Sequence, residues 1–229
     1  MNKILISLLA TLLLFTSCEN FLNTEVDPST HVYYAAATLT YVPSGENIFI
    51  TDDSLYLYPT SKITIPDLQK DSLLNQRYYI TFQIEENSSV SNNVANINLL
   101  SMQMMYTKTI IEIDSIDELQ QYKNQQLSMQ QLWTSGSYLN FITSITGSGY
   151  TPHNYHLIYN TENSSSDTIY LTLRYDNNND SPIYNLQNAL SYNLSKYLNK
   201  SNNDSITICF NYNSNIPAYN TLFFKIKNQ

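Results

Sequence analysis

The chain has 229 residues, 42% hydrophobic and 13% aromatic, with a net charge of −8. So much apolar material excludes wholesale disorder, and the acidity argues against nucleic acid, whose phosphates need clustered Lys and Arg. Only 13% of residues are charged, against about 25% in a typical domain, so the polarity comes from 29 Asn and 20 Tyr.

Lys3 opens a positive segment, and residues 4–16 form a thirteen-residue run, apolar apart from Ser7, Thr11 and Thr16. That length suits the core of a signal peptide and falls short of the ~20 residues that span a bilayer. The run ends Leu14-Phe15-Thr16-Ser17-Cys18, which resembles a bacterial lipobox, with Phe15 at the place where Leu is commonest. Residues 1–17 are therefore expected to be removed as a lipoprotein signal peptide. The resemblance implies that Cys18 then carries diacylglycerol on its thiol and an acyl chain on its new amine. Three chains anchor far more firmly than one. Residues 18–30, polar and without periodicity, read as a tether. With Cys18 lipidated, Cys209 is alone and no intrachain disulfide is expected. It lies in an alternating run at 205–212 and is expected to be a small strand residue rather than a catalytic thiol.

From residue 31 the chain reads as all-β. The first block, 31–115, carries strand signals at 32–41, 47–50, 55–58, 78–84 and 97–113. In the fourth of these, Ile80, Phe82 and Ile84 share one face and Thr81 and Gln83 the other, the pattern of a half-buried antiparallel strand. Residues 116–131 read as a linker or short helix. Ser115 and Glu118 have the spacing of a capping box, and Ile116, Leu119 and Tyr122 make a narrow apolar stripe. A second block, 132–229, has strand signals at 138–145, 156–159, 168–175, 189–194, 205–212 and 219–227. Short strands at this spacing predict an antiparallel β-sandwich.

Several segments together resemble the NigD-like lipoproteins of Gram-negative anaerobes. In the first block these are Asp52-Asp53 before Pro59, Gln76-Arg77-Tyr78, and Thr107-Lys108. In the second they are Leu132-Trp133 with Gly136, Ser137-Tyr138-Leu139-Asn140-Phe141, residues 171–177 with Asp180, and Leu190-Ser191-Tyr192-Asn193-Leu194. The resemblance implies a small OB-type β-barrel followed by the sandwich. Two positions depart from the family pattern. Tyr175 stands where His is common, and Ser54 follows the acidic pair where Gly often supplies φ > 0.

His153 and His156 are three apart beside Pro152, so on a strand they diverge and are not expected to share a metal. Residues 176–180 superficially resemble a calcium loop, but the turn Gly is missing and Gln187 stands where a bidentate Glu belongs, so a solvated loop is expected. Glu85-Glu86 reads as a solvated strand edge rather than a glycosidase pair. Tyr33, Tyr34, Tyr41, Tyr56, Tyr58, Tyr78 and Tyr79 could line a ligand platform, but strand propensity accounts for them. Five Asp-Ser/Thr-aliphatic triplets, starting at Asp53, Asp71, Asp114, Asp167 and Asp204, resemble an O-glycosylation pattern and equally suit turns. Trp133, the only Trp, is expected to pack onto the sandwich.

These readings make the protein non-enzymatic, without cofactor or metal, and anchored to the outer membrane of the cell envelope. The partner would be another protein or an envelope component, with a bacteriocin-immunity-type role as the family-based version. The alternative is a carbohydrate-binding surface lipoprotein.

Overall fold

The computed structural model describes residues 31–42, 46–61, 63, 73–85, 92–165, 167–198, 204–217 and 220–227. The signal peptide, Cys18, the tether, Glu86 and the Asp71-Ser72 pair lie outside the described residues.

Strands β1 (Tyr33–Tyr41), β2 (Asn47–Thr51), β3 (Tyr56–Pro59), β4 (Arg77–Ile84) and β5 (Val94–Met104) close a barrel in the order β1-β2-β3-β5-β4. Only the β3–β5 pair is parallel. This is the OB-type arrangement, and closure removes the exposed edges that an open five-stranded sheet would leave. Alternation fills it: Leu39, Phe49, Leu57, Ile80 and Ile97 are fully buried, while Thr81 and Gln83 face outward. The turn joining β2 to β3 holds Ser54 at φ 64°, the left-handed region for which Gly is usually needed. Thr51 offsets that strain. Its carbonyl accepts from Ser54 N and its hydroxyl from Leu55 N, both at 3.0 Å.

The sandwich stacks two sheets. One has the order β14-β13-β11-β10-β7, with β7 (Ile111–Ile113), β10 (Asn154–Asn160), β11 (Thr168–Asp176), β13 (Ser205–Tyr212) and β14 (Thr221–Lys227). The other has the order β6-β12-β9-β8, with β6 (Tyr106–Thr107), β8 (Ser128–Ser135), β9 (Tyr138–Gly147) and β12 (Tyr184–Asn193). The hairpin pairs are antiparallel, whereas β11–β13, β10–β7 and β12–β6 are parallel. Phe141, Leu157, Leu171, Leu190, Tyr192, Ile208 and Phe210 form the centre of the core.

The run 97–113 is three strands rather than one. β5 ends at Met104, and β6 and β7, which the sequence reading placed in the first block, pair into the two sandwich sheets. Met105 explains the break. It turns its side chain into a small apolar cluster with Ala36, Ile142 and Ala189 between barrel and sandwich. After it, residues 116–121 form a 3-10 helix whose Ser115 cap and Glu118 make both arms of a capping box.

A buried polar network crosses the seam between barrel and sandwich. Arg77, at the start of β4, donates from Nη1 to Asp52 Oδ1 at 2.6 Å and from Nη2 to Asp52 Oδ2 at 2.7 Å. The two side chains are only 4% and 6% exposed. Its Nε donates to Ser191 Oγ on β12 at 2.7 Å, and its guanidinium lies 3.6 Å from the centre of the Tyr138 ring. Ser135 donates to Asp52, Asn140 Nδ2 donates to Ser135 Oγ at 2.9 Å, and Ser191 Oγ donates to Asn140 Oδ1 at 2.8 Å. Four of the segments that carried the family resemblance thus supply this network. Trp133 sits at the same seam, half-buried, with its ring 5.7 Å from that of Tyr79 on β4. It packs between the two halves and not solely onto the sandwich.

Removing one partner from a buried, bidentate pair strands the other charge, at a cost of about 3–5 kcal/mol. Arg77→Ala should lower unfolding stability by that amount in urea titration. Combining it with Asp52→Asn should cost clearly less than the sum of the two single changes. Additive effects would show that the two charges do not depend on each other.

Candidate functional site

A cleft of about 420 Å³ opens where the two sandwich sheets lose their edge strands. β6 covers β12 only at Leu190 and Ser191, and β7 covers β10 only at Ile158 to Asn160. Beyond those pairs the sheets part. Ile145 from β9, Leu186 and Asn188 from β12, and Tyr155 from β10 then line the gap, with Tyr106, Lys108, Tyr150 and His153 at its rim. That size falls within the range of small-ligand sites, and apolar rings with a few polar groups are the usual lining.

Lys108 is the charge of the cleft. Among the described residues, Arg77, Lys123 and Lys196 are each ion-paired, to Asp52, Asp176 and Glu112, whereas Lys108, like Arg174 and Lys225 outside the cleft, has no ion-pair partner. Partial burial pulls its pKa below the ordinary lysine value. The same ammonium helps to lower His156, after burial, while Asp176 opposes the shift. Asn188 Nδ2 donates to the Tyr155 hydroxyl at 2.8 Å and fixes that ring at the cleft floor.

One wall of the cleft is braced by a buried carboxylate. Asp180, with a side chain 3% exposed, accepts from the Ser148 hydroxyl at 2.6 Å and from Ser148 N at 2.7 Å. His153 Nε2 lies 3.0 Å from Oδ2, the oxygen that Ser148 N also reaches, and His153 Nδ1 lies 2.6 Å from the Tyr175 hydroxyl. The Ser148 hydroxyl, helped by His153, Thr151 and the Ser148 amide, holds the Asp180 pKa well below the usual carboxylate range, although burial opposes it. Burial, reinforced by Tyr155, Asp180 and Asp176, pushes the Tyr175 hydroxyl up. This Ser, His and Asp do not form a nucleophile–base pair. The carboxylate stands between the serine and the histidine, and the second imidazole nitrogen is taken by Tyr175. The arrangement fixes loops; it does not activate Ser148.

The remaining sequence candidates fall elsewhere. His156 faces away from His153, opposite Arg174 across the β10–β11 pair and against the Tyr122 ring at 5.2 Å. His31 is exposed beside Tyr33. The loop at 176–180 spends its oxygens on its own backbone. Asn178 N donates to Asp176 Oδ1 at 2.8 Å and Asn179 N to Asn177 Oδ1 at 2.9 Å, with both Asn178 and Asn179 at positive φ. Asp180 corrects the expectation of a solvated loop, since it is buried. No group of three or more His, Cys, Asp or Glu among the described residues could hold a metal. Cys209 is buried and its thiol pKa is pushed up, the opposite of a reactive thiolate. Glu85 accepts from the Thr60 hydroxyl at 3.0 Å at the barrel edge. The tyrosines of the first block form no single platform: Tyr33 and Tyr78 are core residues, while Tyr34 and Tyr41 are exposed.

The sequence reading missed an exposed apolar row. Met102, Met104 and Tyr106 are 38%, 40% and 54% exposed and fall at alternate positions, preceded by exposed Leu100. Their signal was present in the alternation through 100–106, but reading 97–113 as one strand hid where the row lost its cover.

A closed five-stranded barrel joined through a buried seam to a two-sheet sandwich defines an all-β, two-part fold. The family model described as the NigD-like C-terminal beta sandwich domain matches residues 109–225, just over half of the chain. The protein belongs to the NigD-like family. Its fold is similar to that of a NigD-like immunity protein from Bacteroides caccae, with TM-score 0.61, 20% identity, and 87% of this chain and 99% of that one covered. A Bacteroides vulgatus protein of unknown function matches with TM-score 0.67 at 18% identity, covering 87% and 92%. A candidate lipoprotein from Bacteroides fragilis matches with TM-score 0.56 at 18% identity, covering 87% and 99%. No protein of curated function matches the chain.

A Cβ at Gly147 would stand 2.6 Å from Asp180 Oδ2 and 3.0 Å from His153 Nε2. Gly147→Ala should therefore break the Asp180 cluster and lower the thermal midpoint, and an unchanged midpoint would show the wall to be loose. The depressed Asp180 pKa has a defined sign. Its stabilisation is present above the unfolded value near pH 3.9 and is lost as pH falls toward the lower folded value. Asp180→Asn should weaken the protein at pH 7 and flatten the loss of stability below about pH 4, measured by urea titration across pH.

Proposed function

We propose that this protein is a lipid-anchored, non-enzymatic component of the cell envelope that binds another protein, in an immunity-type role. The observation that carries the reading is the exposed row Met102, Met104 and Tyr106 at the barrel–sandwich seam. Apolar rows of this kind mark protein contacts, and Met and Tyr are enriched there because one adapts and the other anchors rigidly. A hydroxyl-rich glycan would gain little from a methionine row, which favours a protein partner over a carbohydrate. The non-enzymatic part draws support from Ser148, His153 and Asp180, whose hydrogen bonds are spent on one another and on Tyr175. The immunity-type role draws on the description of the Bacteroides caccae relative. Outer-membrane anchoring draws on the sequence that ends at Cys18.

Cys18→Ala should move the protein from the detergent to the aqueous phase on phase partitioning; unchanged partitioning would remove the anchor from this reading. Met102→Asp with Met104→Asp should leave folding intact, since exposed substitutions shift stability by about 0.5 kcal/mol or less. The same pair should abolish crosslinking of the lipidated protein to its membrane partner. Partner capture that survives both charges would place the contact surface elsewhere.

A further inference from the structure

We infer that the seam groove receives an extended peptide segment of the partner that carries a carboxylate, with its acidic side chain in the cleft at Lys108 and its apolar side chains along Met102, Met104 and Tyr106. This rests on the protein-binding reading above and specifies the chemistry of the partner.

Three observations converge on that occupant. First, β5 pairs with β3 only from Val94 to Ile97, so among the described residues its edge from Asn98 to Met104 has no strand partner on that side. β12 likewise has no partner on its outer edge from Tyr184 to Ala189. The two edges are joined through β6, which follows β5 and pairs with β12, and Gln103 Nε2 on β5 donates to the Gln187 carbonyl on β12 at 3.4 Å. A pair of open strand edges offers backbone donors and acceptors to an extended chain, the usual basis of peptide recognition by strand addition.

Second, the apolar row lies on this ribbon and ends in the cleft. Met102, Met104 and Tyr106 occupy alternate positions, while Met105 between them is buried in the seam. Tyr106 belongs both to the row and to the cleft wall. An extended partner presents its own side chains at the same two-residue period, so alternate apolar residues meet the row.

Third, the charge at the end of the row is a single base in an acidic protein. Lys108 follows Tyr106 by two residues, lines the cleft and has no ion-pair partner among the described residues. A partly desolvated ammonium gains most from a carboxylate, through a charge-assisted hydrogen bond. The net charge of −8 repels acidic chains elsewhere on the surface, so an acidic segment would be held only where a base waits for it.

The test uses the full chain after the signal peptide and a displayed library of random linear peptides of about a dozen residues. Selected peptides should share one Asp or Glu flanked by apolar residues at alternate positions. A synthetic peptide from that set should bind at least about tenfold more weakly to Lys108→Gln, as expected for a hydrogen bond to a charged group. Lys108→Arg should restore binding, and replacing the peptide's own acid by its amide should add no further loss in Lys108→Gln. An unchanged thermal midpoint in Lys108→Gln keeps that comparison clean, and if it falls, the peptide-amide arm carries the test alone. An empty selection, a basic consensus, or equal binding to wild type and Lys108→Gln overturns the inference. Lys108-dependent binding of galacturonic-acid oligosaccharides without any peptide binding also overturns it, in favour of a glycan. Membrane-partner crosslinking that is lost with the Met102 and Met104 changes but indifferent to Lys108→Gln would leave the protein-binding reading standing and remove this inference alone.

Discussion

The architecture depends on one buried guanidinium. Arg77 opens β4 of the barrel, and its two terminal nitrogens hold Asp52 while its Nε reaches Ser191 in the sandwich. Arginine suits this place because its planar fork matches a carboxylate with two parallel bonds and still offers a third donor in another direction. Lysine could satisfy only part of that set. The Tyr138 ring 3.6 Å from the guanidinium adds a favourable face to a cation that would otherwise be costly to bury. A buried pair of this kind contributes less to net stability than to geometry, since hydrophobic replacement is often no less stable. What it contributes here is placement, because the fork holds Arg77 and Asp52 together within the barrel while Ser191 and Ser135 of the sandwich bond to that same pair.

That constraint explains why some strand edges are left open. β5 parts from β3 after Ile97 but stays paired to β4 as far as Met104, from where Met105 enters the seam and β6 joins β12. Closure of the barrel and continuity into the sandwich compete for the same strand. The chain resolves the competition in favour of the seam and leaves the edge beyond Ile97 without a partner among the described residues. Exposed edges invite aggregation unless they are short, twisted or charged. An open, apolar edge kept beside a rigid seam is therefore a liability unless something occupies it.

Much of the fold was legible from the sequence, for physical reasons. Alternation along β4 and β11 is nearly perfect, so a period of two identified them as half-buried strands. The Ser115–Glu118 spacing marked a helix start because capping boxes use fixed offsets. The resemblance segments pointed to Asp52, Arg77, Asn140 and Ser191 without revealing that they meet, since contacts across 114 positions leave no local trace. Ser54 was suspect for lacking the freedom of glycine, and it does adopt φ 64°, held by Thr51 hydrogen bonds that composition could not show. The split of 97–113 was illegible because Met105 looks like any strand residue until the seam exists. Asp180 was read as solvated because Asp in an Asn-rich loop is normally exposed, and only the fold brings Ser148 and His153 to it.

The same long-range logic separates the two polar clusters. In the seam, each nitrogen of Arg77 meets an acceptor inside the protein, and beside the cleft both oxygens of Asp180 are taken by Ser148 and His153. Saturated buried networks rigidify; they have no capacity left for a ligand. Capacity remains where partners are missing, at Lys108 in the cleft and along the edge of β5. Recognition by such a surface needs the walls to stay fixed when the partner arrives, because ordering a loose site subtracts from affinity. The clasp at Arg77 ties the barrel to β12, and the brace at Asp180 holds His153, which lines the cleft, so both fix elements next to Lys108 and β5 while using none of their open capacity.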